Sequence, residues 1–147
     1  MMANAATKKP IPKVDEESKG FWEACRRHEL RVQRCVGCGT LRHHPRAVCT
    51  QCTSSEAEWL LCSGRGTVYT FTVTWQNQMP GFRENLPYVL AYVELEEGVL
   101  LLTNVVDCPP DSVRIGLPVE VVFEDVSDDV AIPRFRPRGD ATAGGAS

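Results

Sequence analysis

Histidine is scarce in this chain. Its three residues, His28, His43 and His44, all fall between positions 28 and 44. A Ser/His/Asp constellation needs a histidine that the fold can bring to a cleft, and so compact a set argues against one. No apolar run approaches the roughly 20 residues that a membrane-spanning helix needs. The opening MMANAATKKPIPK lacks the apolar core of a secretory signal, so a cytoplasmic location is expected. A phosphate-cradling loop is missing too. Gly64-Arg65-Gly66 has no lysine after it, no following helix and no G-x-G-x-x-G continuation. There is no basic excess: 16 Lys and Arg against 19 Asp and Glu give a net charge of −3, which disfavours general nucleic-acid binding. No internal repeat is evident.

Cysteine is well represented, and four of the seven are grouped. Cys35-Val36-Gly37-Cys38 and Cys49-Thr50-Gln51-Cys52 are two C-x-x-C pairs at the spacing of a metal ribbon. Each pair wraps a tight turn around one ion, and the gap between them accommodates two short strands. Four thiolates complete a tetrahedral shell with no open position, so the expected occupant is one structural zinc. Iron in a rubredoxin-like site uses the same ligands. Gly37 and Gly39 suit turns with positive φ. Cys25, Cys62 and Cys108 read as small packing residues. Four cysteines in metal spacing fit a reducing compartment better than a disulfide scaffold.

Around the cysteines the chain divides by pattern. Residues 1–14 form a flexible arm. Residues 15–28 are predicted helical, with Asp15 as cap and Phe21, Trp22 and Cys25 as an apolar stripe. The zinc ribbon spans 29–63, built on Leu30–Arg34, a return at 40–44 and a third strand at 58–61. The barrel and a tail strand occupy 64–138, and 139–147 is a small, polar, disordered tail. In the barrel, Tyr69, Phe71, Val73 and Trp75 alternate with Val68 and threonines, predicting a long strand with the aromatics in the core. Tyr88–Glu96, Val99–Val106 (buried on both faces), Val119–Glu124 and an edge strand at 131–136 complete five strands. The expected fold is therefore mainly β with one N-terminal helix: a rubredoxin-like zinc ribbon followed by a five-stranded barrel of the OB type.

Several stretches in this order resemble a known family. They are Phe21-Trp22, Leu30-Arg31-Val32-Gln33-Arg34-Cys35, Pro45-Arg46 before Cys49, Ser63-Gly64-Arg65-Gly66-Thr67-Val68, and Ile115-Gly116-Leu117-Pro118-Val119-Glu120-Val121. Over residues 10–136 the chain resembles the zinc-ribbon/OB-fold acyl-CoA-associated proteins, long labelled a domain of unknown function. The resemblance implies a non-catalytic, zinc-binding partner of a thiolase-superfamily catalytic subunit in a hetero-oligomer. Such a complex acts on acyl-CoA by thiolysis or retro-aldol cleavage, in degradation of a bulky aromatic or steroid-like acyl chain, with CoA near the interface. The chain itself lacks the cysteine–histidine–cysteine set that thiolase chemistry uses.

On this reading Phe82, Arg83, Arg134, Phe135 and Arg136 are candidate partner contacts, while Arg46 and Arg65 are candidates for CoA phosphates. Six arginines and one acid lie within 26–46, and part of that charge can neutralise a zinc–tetrathiolate centre. Two other readings use the same features. One is a module that binds CoA or acyl-CoA alone. The other is a single-strand nucleic-acid binder, which would need Tyr69, Phe71 and Trp75 as platforms beside lysines or arginines. The residues after Arg65 carry five basic against twelve acidic groups, which disfavours the latter.

Overall fold

The computed structural model describes residues 10–79, 81–82 and 86–138. Asp15 does not begin the helix. Its Oδ1 accepts from Ser18 N and Ser18 Oγ at 2.8 and 2.6 Å, closing a turn, and helix α1 runs only over Lys19–Arg26. Phe21, Ala24 and Cys25 form its buried face. At its other end His28 takes a left-handed φ of 61°, and Glu29 N returns to Ala24 O, so the chain turns sharply into the ribbon.

The ribbon is a three-stranded antiparallel sheet of β1 (Arg31–Cys35), β2 (Leu41–Arg42) and β3 (Ala57–Leu61), in the order β2-β1-β3. Leu30 and Val32 leave it to join the same buried cluster as Phe21, Cys25 and the barrel interior. The ribbon is thus anchored in a shared core rather than held by its metal site alone.

Five strands close the barrel: β4 (Arg65–Thr74), β5 (Tyr88–Leu95), β6 (Leu100–Val105), β7 (Pro118–Asp125) and β8 (Ala131–Pro137), in the order β4-β5-β6-β8-β7. Val68, Val93, Leu95, Leu101, Val119 and Phe135 fill it. Gly66 sits where β4 crosses β5, and a Cβ there would lie 2.4 Å from Glu94 O. No helix among the described residues is long and apolar enough to cross a membrane.

Three expectations about the barrel fail for identifiable reasons. A bulge between Val68 and Thr70 changes which residues of β4 face inward. Phe71 and Val73 pack on the core, but Tyr69 and Trp75 are 55% and 65% exposed. Strand β6 is buried on one face only. Leu101, Thr103 and Val105 point in, while Leu100 and Leu102 are exposed beside Leu90 and Tyr92 of β5.

Strand β8 is not an edge strand, because it lies between β6 and β7 despite Pro133. Its contact with β6 is a single parallel pair, Val105 with Phe135. Pro133 O accepts from Thr103 Oγ1 at 3.0 Å, which turns the proline nitrogen toward the same opened side, where no ladder partner is missed.

Candidate functional site

The two C-x-x-C turns are built alike. In the first, Cys35 O accepts from Gly39 N and Cys35 N donates to Thr40 O. In the second, Cys49 O accepts from Thr53 N and Cys49 N donates to Ser54 O. Gly39 and Thr53 occupy equivalent left-handed positions, with φ of 78° and 65°. Gly39 needs its freedom for φ alone, since nothing lies within 4 Å of where a Cβ would stand. Gly37, also expected to need it, is not among the residues with positive φ.

These turns bring Cys35, Cys38, Cys49 and Cys52 together, with all four sulfurs within 4.8 Å of one another. The Cys35–Cys52 and Cys38–Cys49 separations are 3.5 and 3.7 Å. A tetrahedron with Zn–S bonds of about 2.3 Å has edges of about 3.8 Å, so the donors fit that ion. Backbone N–H groups and one hydroxyl favour thiolates at three of the four positions. The Cys38 amide holds the Cys35 thiol below its ordinary value, the Thr40 hydroxyl does so for Cys38, and the Cys52 and Gln51 amides do so for Cys49. For Cys52 the Ser54 amide acts in the same sense but is overridden by the neighbouring sulfurs of Cys35 and Cys38, which push it up to about 12. A divalent cation removes that repulsion. Four protein ligands close the shell, so the site holds structure and offers no position to a substrate.

The other cysteines lie apart. Burial pushes the Cys25 and Cys62 thiols up to about 12, which leaves them protonated and unreactive at neutral pH. Cys108 is half-buried.

The expected contact residues do not form one cluster. Phe135 is fully buried at the centre of the barrel, so its assignment as an exposed partner anchor is corrected: alternation along β8 turns it inward. Arg134 and Arg136 face outward and are ion-paired with Glu124 at 3.0 Å and Glu120 at 2.9 Å. Phe82 is half-buried, 6.1 Å from the Tyr88 ring. Arg83 lies outside the described residues.

Arg46 lines an open hollow with Glu16, Glu17 and Glu23, and Arg65 pairs with Glu96 at 3.1 Å. Acids therefore accompany both residues proposed for phosphates. Most of the arginine cluster is occupied as well. Arg27 and Arg31 share Glu29, Arg34 meets Glu58, and Arg42 is fixed by Gln33 Oε1 at 2.7 Å.

Two features escaped the sequence reading. His28 Nε2 lies 2.9 Å from Asp125 Oδ1, and its ring stacks on Phe123 at 5.1 Å, tying the helix end to β7. Nothing in the linear pattern links positions 97 residues apart. The second is a mostly apolar cleft of about 280 Å³ where β6 and β8 diverge. Phe21 and Trp22 of α1, His43 from the ribbon, Leu102 and Ile132 line it, with Asn104 and Arg134 at its polar edge.

A four-cysteine ribbon sharing one core with a closed five-stranded barrel defines the class: a zinc-ribbon/OB-fold protein. The chain belongs to the ChsH2 (DUF35) family. Residues 22–58 match the ChsH2 rubredoxin-like zinc ribbon domain, and 59–124 match its C-terminal OB-fold domain.

Among curated relatives, a probable enoyl-CoA hydratase alpha subunit of Thermomonospora curvata is 36% identical over 88% of this chain and 40% of its own length. A DUF35 domain-containing scaffold protein of Methanocaldococcus jannaschii is 40% identical over 65% of this chain and 68% of its own. The benzoylsuccinyl-CoA thiolase subunit BbsA of Geobacter metallireducens is 39% identical over 48% and 45%. The chain thus spans about two fifths of the hydratase subunit and less than half of the thiolase subunit. Among solved structures, one chain of an Ltp2-ChsH2(DUF35) aldolase superposes with a TM-score of 0.79 at 36% identity, over 86% of this chain and 98% of that one.

Proposed function

We propose that this chain is a non-catalytic, zinc-holding subunit of a complex with a thiolase-superfamily enzyme. The complex cleaves acyl-CoA by thiolysis or a retro-aldol step, and this subunit supports the catalytic partner and its CoA channel. The observation that carries the reading is the likeness, over most of both chains, to one chain of the Ltp2-ChsH2(DUF35) aldolase. Names among the relatives point the same way: two are subunits of CoA-ester enzymes, a hydratase and a thiolase, and one is a scaffold protein. The residues support it as well. The four-cysteine shell is closed to substrate, and Cys25 and Cys62 stay protonated at neutral pH. Substrate choice then rests with the partner, and a bulky aromatic or steroid-like acyl chain in a degradative pathway is the class proposed. Any contact of this chain with CoA falls at the junction of the two subunits.

The test is co-expression of the full chain with each thiolase-superfamily protein of its genome, followed by acyl-CoA cleavage assays. A stable hetero-oligomer whose activity needs both chains is expected. Turnover of acyl-CoA by this chain alone contradicts the proposal.

The exposure of Tyr69 and Trp75 favours a second reading, a stacking surface for single-stranded nucleic acid. The residues after Arg65 carry five basic and twelve acidic groups, and Arg65 itself is held by Glu96. Absence of salt-dependent, submicromolar binding to an oligonucleotide removes this alternative.

A further inference from the structure

The two cysteine turns repeat one another, and the places where the repeat breaks single out one sulfur. Cys35 and Cys49, the first cysteine of each turn, are buried, whereas Cys38 and Cys52, the second of each, are exposed. Each exposed cysteine accepts an amide N–H from the residue two positions on, Thr40 for Cys38 and Ser54 for Cys52. The hydroxyls of those two residues then differ. Thr40 Oγ1 lies 3.1 Å from Cys38 Sγ and donates to it. Ser54 Oγ instead accepts from Glu56 N at 3.1 Å, and no hydrogen bond joins it to Cys52 among the described residues.

Cys52 also has a bare flank. A Cβ on Gly37 would stand 3.5 Å from its Sγ. Gly37 has no positive φ that would require glycine, and the space left by its missing side chain opens beside this sulfur. Cys35 Sγ lies 3.5 Å from Cys52 Sγ, near enough to react with it in turn.

With a metal ion bound all four cysteines are thiolates, so ionisation does not tell them apart. Access and hydrogen bonding do, because a donor on the sulfur draws on the electron pair that an electrophile would take. Oxidation of cysteine follows thiolate character and exposure, and a neighbouring thiol resolves the product. Cys52 alone combines exposure, an uncapped sulfur and a close partner.

We propose that Cys52 is an oxidation site, through which a peroxide closes a Cys35–Cys52 disulfide and opens the metal centre. The Cys52 thiolate attacks one oxygen of hydrogen peroxide, the O–O bond breaks, and hydroxide leaves Cys52 as a sulfenic acid. The Cys35 thiolate then attacks that sulfur, the S–O bond breaks, and a second hydroxide leaves. Two thiolates give up two electrons to the peroxide, and solvent protons convert both hydroxides to water. Only Cys38 and Cys49 remain as ligands, which is no longer a closed shell. Folding of such a ribbon is coupled to its metal, so the reaction loosens the ribbon while the barrel persists. This device is independent of the subunit reading.

The experiment uses the full, zinc-loaded chain. Limiting N-ethylmaleimide, followed by peptide mass spectrometry, is expected to mark Cys52 roughly tenfold faster than Cys38, about what one hydrogen bond to a charged group is worth. Hydrogen peroxide is expected to yield a Cys35–Cys52 disulfide, with one zinc released to a chromogenic chelator per bridge. Thr40→Val should raise the labelling of Cys38 to the rate of Cys52, and Gly37→Ala should slow Cys52 alone. Circular dichroism and zinc content before treatment establish that each variant is folded, and the wild-type comparison decides if one is not. Equal labelling of Cys38 and Cys52 in the wild-type chain overturns the proposal, as does a Cys38–Cys49 bridge as the first product. Oxidation of Cys108 alone, with zinc retained, overturns it too.

Discussion

Gly20 lies so close to Trp59 that a Cβ on the glycine would fall 2.4 Å from the indole ring. Helix α1 therefore meets the ribbon through bare backbone against a flat aromatic face. In isolation, Gly20→Ala favours the helix by about 1 kcal/mol. Against a rigid indole the added methyl costs more, typically about 1–3 kcal/mol. The expected net result is destabilisation by up to about 2 kcal/mol in urea denaturation. Trp59→Leu in the same chain should recover much of that loss, a coupling that the double-mutant cycle reads directly.

Phe135→Ala is expected to cost about 3–5 kcal/mol, the range for emptying a fully buried aromatic position. The loss should appear as a lower Tm of the isolated chain. A stable variant that merely bound a partner less well would place Phe135 on the surface, contrary to its position in the barrel.

Cys38→Ser removes one of four sulfurs from a closed shell. One zinc per chain is expected before the substitution and loss of the metal after it, measured by plasma mass spectrometry. The ribbon should then lose order, because metal binding and folding are coupled at such sites. Leu30 and Val32 remain pinned in the shared core, so the barrel is expected to persist. Retained zinc and an intact ribbon would show that Cys38 is not a required ligand of the closed shell.

Stability should depend on pH through His43. Burial, with a smaller contribution from His44, lowers its pKa from 6.5 to about 4. Between those values the unfolded chain binds more protons than the folded one. Stability therefore rises with pH across that window and is lost as pH falls from 6.5 toward 4. The effect amounts to about 3 kcal/mol at most. Denaturation at pH 7.5 and pH 5 should show it, and His43→Gln should flatten the difference. Zinc release on acidification acts on both chains alike, so the comparison isolates the histidine.

The zinc ribbon was legible because its chemistry is local: ligand spacing alone dictates the cluster of Cys35, Cys38, Cys49 and Cys52. The barrel's strands were legible for the same reason, since period-two alternation is a local signal. Which way each side chain faces was not. The bulge at Tyr69 reverses the phase of β4 partway along, and no residue type announces it. The run VLLLTNVV looked buried on both sides because Leu100 and Leu102 are apolar, yet they face outward. Pro133 suggested an edge, but the β6–β8 opening lets a proline sit between two strands. The pairing of His28 with Asp125 and the cleft beneath Trp22 depend on chain segments far apart in sequence, and only the fold brings them together.

The central claim is that this chain works as a subunit, and native mass spectrometry of the co-expressed pair tests it most directly. The predicted spectrum shows this chain bound to a thiolase-superfamily protein, with one zinc ion per copy of the chain. A folded, zinc-loaded chain that appears only free beside every such protein would contradict it.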